Sequence, residues 1–287
     1  MCALIYVPSL QCSRRKRING KYYFKIADET GFSFLNDNIP KKLYCDPIQE
    51  ISYPAILPNE IMAITDPIDA LKTTLKSTEF PELTKFINTL EAIGIPVDAI
   101  GLFGSVMLGF TDKPVNDFDL VIYGHHNRRR YLDSFDDLIY KYCYERIPEI
   151  EIRKSARSVG LKNMPIGYNR AYSISLNRHS YSLKYNECYF SVKFAYDLSE
   201  TCQSERLRPA QEVYLRGVVS NDDGVYCLPY RFEVYADGRH YEIYTYSFSF
   251  FCAAFKGTKV EVLGCLRKHP CRSIDRFIGK PQHHRAK

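Results

Sequence analysis

Two aspartates stand two positions apart in the segment NDFDLVIYG, with one phenylalanine between them. The apolar residues that follow predict a buried strand, and alternate residues of a strand point to the same face. Asp117 and Asp119 therefore share one face, while Phe118 and Leu120 point to the other. Two carboxylates this close repel each other unless a cation lies between them. Hard oxygen ligands suit Mg²⁺, which keeps several water molecules and is commonly shared with substrate phosphates.

A glycine and a serine, Gly104 and Ser105, stand upstream of this pair at the end of the apolar run GLF. We expect a strand-to-helix turn here, where backbone N–H groups favour a phosphate. Gly104 would let a phosphate approach the backbone, and the Ser105 hydroxyl would donate a hydrogen bond to it. A phosphate anchor beside a metal-binding pair is the chemistry of phosphoryl transfer from a nucleoside triphosphate.

The spacing of these two elements resembles the signature of the polymerase-β-like nucleotidyltransferase superfamily, in which a glycine-serine turn precedes an acid-x-acid motif. Here eleven residues separate Ser105 from Asp117. Most of the chain is also similar to archaeal proteins described as DNA polymerase β domain or nucleotidyltransferase domain proteins. The segments that carry this likeness are LIYVPS, NGKYYFKI, GLFGSVMLGF, DFDLVIYG and EIRKSARSVG.

The resemblance implies transfer of a nucleoside monophosphate from a nucleoside triphosphate to a hydroxyl acceptor, with release of pyrophosphate. Asp117 and Asp119 would bind Mg²⁺ and act as catalytic residues, and Gly104 and Ser105 would hold the phosphates. The acceptor stays open between a nucleic acid such as RNA or tRNA, a protein and a small molecule.

The sequence departs from the superfamily at the third carboxylate, which active members usually carry on a neighbouring strand. The segment CYFSVKFAYD predicts that strand, but Ser191 and Lys193 occupy its polar face. Glu149 and Glu151 offer another source if they share one face of a strand PEIEIR; the alternative is a solvated edge or the end of the preceding helix. This departure motivates a second hypothesis, a catalytically weakened module on the same fold that binds nucleotide or RNA.

We expect an α+β protein with three regions. Residues 1–70 form a β-rich accessory region. Asp66-Pro67, near the end of this region, predicts the start of a helix. Residues 71–204 would form the nucleotidyltransferase domain, a mixed sheet with helices. Residues 205–287 contain strand-like runs between turn signals, which predict a small antiparallel β-barrel followed by a basic tail after Gly279.

Several basic segments have two readings each, phosphate or nucleic-acid contact and a solvated surface. The segment GHHNRRRY offers a basic loop with three arginines, and its two histidines lack further residues nearby that would complete a metal site. The other candidates are the segment SRRKR, which we expect at the tip of a hairpin, and the segment EIRKSAR, which resembles a segment of the family. The residues concerned are Arg128, Arg129, Arg130, His125, His126, the run 13–17, Arg153 and Lys154.

The composition is that of an ordinary globular protein, with 45% hydrophobic and 25% charged residues among 287. The net charge of +6 permits polyanionic partners without requiring them. The ten cysteines include no C-x-x-C pair, which disfavours a structural zinc site and predicts buried thiols. No apolar run approaches the roughly 20 residues of a membrane helix, and the N-terminal charge order does not match a secretory signal. We therefore expect a cytoplasmic protein without a membrane partner.

Overall fold

A computed structural model gives the backbone for most of the chain. The residues it describes are 6–8, 15–18, 21–25, 37–38, 43–46, 51–54, 59, 61, 64–109, 115–162, 168–179, 181–200, 212–227, 229–245, 252, 254–268 and 275–279. The predicted basic tail after Gly279 lies outside these residues. No helix within these ranges is long and apolar enough to cross a membrane.

The N-terminal strands pair in two small sheets. Strands β1 (Tyr6–Pro8), β2 (Arg15–Ile18) and β3 (Lys21–Lys25) pair in the order β1-β3-β2, and β4 (Leu43–Asp46) pairs with β5 (Ile51–Pro54). All of these pairings are antiparallel. The predicted hairpin tip at 13–17 is wrong for residues 15–17, which belong to β2.

A five-stranded mixed sheet follows, with the strand order β6-β7-β10-β9-β8. Strand β7 is antiparallel to β6 and parallel to β10, so the prediction of an α+β fold with a mixed sheet is confirmed. The strands are β6 (Ile100–Phe103), β7 (Asp117–Tyr123), β8 (Glu145–Arg146), β9 (Leu183–Tyr185) and β10 (Cys188–Ala195).

Helices accompany this sheet. They are α1 (Pro67–Leu75), α2 (Pro81–Ala92), α3 (Gly104–Met107), α4 (His125–Asp133), α5 (Phe135–Tyr140), α6 (Glu149–Lys162) and α7 (Tyr168–His179). Helix α1 begins as predicted, with Pro67 in its first turn and the Asp66 carboxylate accepting from the Ile68 N–H at 2.7 Å. The prediction of a basic loop at 124–131 is wrong, because residues 125–131 belong to helix α4.

Aromatic side chains fill the core between the mixed sheet and helix α2. Phe118, on β7, stacks on Phe190, on β10, with ring centroids 5.6 Å apart. Phe190 in turn stacks on Phe86 of helix α2 at 4.3 Å. All three side chains are buried, and this burial fixes which face of each strand is apolar.

The C-terminal strands pair in the order β11-β12-β13-β15-β14, and β11 also pairs with β14, so the order closes on itself. The strands are β11 (Glu212–Gly224), β12 (Tyr230–Ala236), β13 (Arg239–Thr245), β14 (Lys259–Lys268) and β15 (Asp275–Gly279). The prediction of a wholly antiparallel arrangement is wrong for one pair, since β13 and β15 are parallel. Strand β15 lies between two strands of opposite direction, so it must run parallel to one of them.

Residues that follow β11 connect these strands to the mixed sheet. The ring of Tyr226 contacts the rings of Tyr181 and Phe194, with centroids 5.6 and 5.9 Å away. Cys227 is buried with the core of the mixed sheet. Of the cysteines in the described ranges, Cys227 and Cys252 are buried thiols, as predicted, whereas Cys143 is exposed.

Candidate active site

The two aspartates lie at the start of strand β7, on the face opposite the aromatic core. Asp117 is exposed and Asp119 is half-buried, while Phe118, Leu120 and Ile122 are buried. Alternation along the strand puts the two carboxylates on one face, with their Cα atoms roughly 7 Å apart. Because the apolar residues hold the strand in this orientation, the acidic face is fixed by burial on the other side.

Gly104 lies against the Asp119 side chain. Strand β6 ends at Phe103, which is the register partner of Asp119, and the chain then turns into helix α3. Gly104 has a φ of +76°, and a Cβ atom added there would stand 2.2 Å from Asp119 Oδ2. Any side chain at this position would therefore displace the carboxylate. The turn and the acidic pair, eleven residues apart in sequence, meet at this contact.

Ser105 occupies the first turn of helix α3, as the strand-to-helix expectation requires, and it is half-buried. Helix α3 has only four residues, and Phe103 provides no side-chain cap for its first N–H groups. Those N–H groups and the Ser105 hydroxyl are hydrogen-bond donors of the kind that bind phosphate oxygens.

Strand β10 adds a second row of polar residues beside the acidic pair. In the parallel register of β10 and β7, Tyr189 is the partner of Asp117, and Ser191 is the partner of Asp119. Lys193 follows two positions later on the same face and is half-buried. The strand predicted from CYFSVKFAYD is thus present, and it brings a serine rather than a carboxylate next to Asp119.

Within the described part of the chain, no group of three or more histidine, cysteine, aspartate or glutamate residues is arranged to hold a metal ion. Asp117 and Asp119 provide two carboxylates on one face, and Ser191 provides a neutral oxygen beside them. This donor set is all oxygen, which fits the chemistry of Mg²⁺, and it leaves coordination positions for water and phosphate oxygens.

Glu151 approaches the same row from helix α6. The Tyr189 hydroxyl donates a hydrogen bond to Glu151 Oε1 at 2.6 Å. This bond to the carboxylate is the main cause that raises the pKa of Tyr189 to about 12, so the phenol carries its proton at neutral pH. A carboxylate is therefore one hydrogen bond away from the register partner of Asp117.

Glu149 and Glu151 do not share a strand face, and the prediction of a strand or solvated edge at PEIEIR is wrong. Pro148 and the two glutamates instead begin helix α6, a start signal that the sequence carried. Glu149 accepts hydrogen bonds from the Tyr172 hydroxyl at 2.9 Å and from Arg153 Nη2 at 2.6 Å, and these lower its pKa. Residues two apart on a helix point in different directions, so only Glu151 contacts Tyr189.

The arginines of helix α4 do not converge on the acidic face. Arg128 is buried, its guanidinium lies 5.3 Å from the centre of the Tyr226 ring, and it donates to Cys227 Sγ at 3.7 Å. Arg129 pairs with Asp133 of the same helix at 3.6 Å. Arg130 donates to the carbonyl oxygen of Gly94.

The remaining predicted basic residues also have other local roles. His125 and His126 are exposed at the start of helix α4, and the backbone N–H of His125 donates to Glu200 Oε1 at 2.7 Å. Arg153 pairs with Glu149, and Lys154 is exposed on helix α6. The structure thus brings Gly104 against Asp119, with Asp117 on the same strand face.

Comparison with known proteins gives one distant relative. An uncharacterized protein of Methanocaldococcus jannaschii is 24% identical over 295 aligned positions, which cover 96% of this chain and 85% of that protein. No family model matches the chain, and no solved structure matches it significantly. The similarity spans nearly the whole chain, but it does not indicate an activity.

Proposed function

We propose that this protein is a magnesium-dependent nucleotidyltransferase, which transfers a nucleoside monophosphate from a nucleoside triphosphate to a hydroxyl acceptor. The contact between Gly104 and Asp119 carries the proposal. In this contact the turn, whose backbone N–H groups and Ser105 hydroxyl are donors of the kind that bind phosphate, lies against an acidic pair on one strand face. The spacing of the same residues is the basis of the resemblance to polymerase-β-like nucleotidyltransferases.

Asp117 and Asp119 would hold the metal ion, with Ser191 beside them. Bound there, Mg²⁺ would neutralise charge on the triphosphate and polarise the phosphorus–oxygen bond that breaks. Two carboxylates suit a single ion that keeps water molecules and shares phosphate oxygens. The half-buried position of Asp119 strengthens this interaction relative to one in open water.

Gly104 and Ser105 would hold the departing end of the triphosphate. The missing side chain at Gly104 makes room for the Asp119 carboxylate, and the backbone N–H groups of the turn and the Ser105 hydroxyl would donate to phosphate oxygens. The acceptor hydroxyl would attack the α-phosphorus from the other side, because the attacking and leaving oxygens lie roughly in line. Pyrophosphate is the leaving group.

The experiment is label transfer with purified protein. Each of the four ribonucleoside triphosphates, radioactively labelled in the α-phosphate, is incubated with protein, Mg²⁺ and total cellular RNA. The proposal expects transfer by the wild type, and loss of at least about a hundredfold in an Asp117→Asn, Asp119→Asn variant. Asparagine preserves the size of the aspartate side chain. Circular dichroism checks that the variant is folded like the wild type. Full activity in that variant would overturn the proposal.

A second candidate function rests on Ser191, which stands beside Asp119 where a third carboxylate would complete a two-metal site. On this alternative the fold binds nucleotide or RNA with little or no turnover. The two functions differ in metal dependence. An RNA-binding module binds without Mg²⁺ and loses affinity steeply as salt rises, whereas the transferase requires Mg²⁺ to bind its triphosphate.

A further inference from the structure

The side chain of Tyr189 carries a hydroxyl group and lies within the candidate active site. It is the register partner of Asp117 on the adjacent parallel strand, so both side chains emerge on the same face of the sheet. Its hydroxyl is 2.6 Å from Glu151 Oε1, and Lys184 Nζ lies 5.5 Å from the centre of its ring. Tyr189 is half-buried, which leaves part of the side chain accessible.

The order of the strands puts Tyr189 on the side from which an attacking group must come. Strand β7 lies between β6 and β10 in the sheet. The Gly104-Ser105 turn follows β6, and Tyr189 belongs to β10. The acidic pair therefore stands between the proposed phosphate anchor and the Tyr189 hydroxyl. In-line displacement needs this separation of the leaving and attacking oxygens.

Glu151 supplies the base that such an attack needs. A phenol is a weak nucleophile at neutral pH unless a neighbouring group takes its proton during the reaction. Glu151 already accepts a hydrogen bond from the Tyr189 hydroxyl, at a distance within the range expected for a general base. No rearrangement is required for the proton to pass between these two atoms.

Two buried tyrosines of the mixed-sheet core differ from Tyr189 in accessibility and in hydrogen-bond partner. Tyr131 and Tyr144 are buried, and their hydroxyl groups contact the Tyr181 carbonyl oxygen and the Thr89 hydroxyl, respectively. Tyr140 is 81% exposed on helix α5. Tyr140 therefore serves as a reference for chemical accessibility alone.

We propose that Tyr189 is a self-nucleotidylation site, at which the protein transfers a nucleoside monophosphate from a bound triphosphate to its own phenolic oxygen. The Tyr189 oxygen forms a bond to the α-phosphorus, and the bond from that phosphorus to the pyrophosphate oxygen breaks. The phenolic proton passes to the Glu151 carboxylate, and pyrophosphate leaves on the Gly104-Ser105 side. The inference rests on the proposed function and names a protein tyrosine as one of its acceptors.

The test is incubation of the full-length protein with Mg²⁺ and each α-labelled ribonucleoside triphosphate in turn, with and without RNA. Pyrophosphate release, label on RNA and label on protein are measured separately. Peptide mass spectrometry then locates the modified residue. The wild type is compared with Tyr189→Phe, Glu151→Gln and the control Tyr140→Phe, each checked for folding by circular dichroism.

The expected result is a nucleoside monophosphate on Tyr189 in the wild type and in Tyr140→Phe. Tyr189→Phe should carry no label in that peptide, and Glu151→Gln should slow labelling by a factor of about one hundred or more. Label on RNA without any on Tyr189 would overturn the self-modification and leave the transferase intact. Protein label at other residues that persists in Tyr189→Phe would overturn it as well. If no triphosphate releases pyrophosphate or transfers label, the proposed function fails and the self-modification fails with it.

Discussion

Ser191 lies directly beside Asp119, because strand β10 runs parallel to β7 in a register that pairs these two residues. A side chain at position 191 therefore projects on the same face as the acidic pair. The serine adds a hydroxyl oxygen there without adding charge. This neighbour determines how many carboxylates the candidate metal site can offer.

A Ser191→Asp variant should bind Mg²⁺ more tightly, by about tenfold or more, because a third carboxylate joins the first two. Without metal, the added like charge should lower the free energy of unfolding by about 1 kcal/mol. Calorimetric titration with Mg²⁺ and thermal unfolding with and without the ion measure both effects. Ser191→Asn is the matched control, with the same side-chain shape and no charge. Equal Mg²⁺ affinities in the two variants would contradict the location of the site.

Gly104→Ala should damage the site through the Asp119 carboxylate. The new methyl group would stand 2.2 Å from Asp119 Oδ2, and the φ of +76° adds backbone strain of about 1–2 kcal/mol. We expect Mg²⁺-dependent triphosphate binding to weaken at least tenfold. The control is Gly109→Ala, which has a similar φ of +70° and, among the described residues, no atom within 4 Å of the added Cβ. It should lose stability by about the same strain while keeping its affinity; equal loss of binding in both variants would argue against the contact.

Phe190→Ala should destabilise the mixed-sheet core. Phe190 is buried between Phe118 and Phe86, with ring centroids 5.6 and 4.3 Å away. Truncating a buried phenylalanine costs about 3–5 kcal/mol through lost burial and the cavity that remains. Urea denaturation measures this change in the free energy of unfolding, with Phe190→Leu expected to lose clearly less. A loss below about 1 kcal/mol would contradict the packing described for β10 and helix α2.

Tyr144 should make the protein sensitive to alkali. Burial raises the pKa of Tyr144 to about 12, although the hydroxyl of Thr89 opposes the shift. Below about pH 10 the phenol is protonated in both the folded and unfolded states, so its contribution is fully present. Above pH 10 only the unfolded chain ionises, so stability falls by about 1.4 kcal/mol between pH 9 and pH 11.

The measurement for Tyr144 is the urea midpoint of the wild type and of Tyr144→Phe at pH 8, 9, 10 and 11. The phenylalanine variant cannot ionise at this position, so its midpoint should fall less steeply above pH 10. Parallel curves for the two proteins would contradict the assigned shift. Tyr131, which is also buried and has a raised pKa, should contribute a further loss to both proteins.

Local sequence patterns were sufficient for the elements that hold the acidic pair. Alternation in DFDLVIY determined which side chains of β7 are buried, and Asp66-Pro67 marked the start of helix α1. The turn at Gly104 followed from a glycine-serine pair at the end of the apolar run GLF. These features depend on residues close in sequence, which is why they could be predicted.

Contacts between distant segments could not be predicted in the same way. The bond from Tyr189 to Glu151 joins residues 38 positions apart, and it depends on how helix α6 lies against β10. The position of Arg128 depends on Tyr226 and Cys227, nearly one hundred positions away. The sequence showed a basic run there, and tertiary packing turned one of its arginines inward.

The most direct test of the central claim is Mg²⁺-dependent binding of a nucleoside triphosphate to the acidic pair. Calorimetric titration of each of the four ribonucleoside triphosphates, with Mg²⁺ or with a chelator, is carried out on the wild type and on Asp117→Asn, Asp119→Asn. The account predicts that the wild type binds at least one triphosphate only when Mg²⁺ is present, and that the variant loses this binding while remaining folded. Triphosphate binding that is equally strong in the variant, or that does not require Mg²⁺, would contradict it.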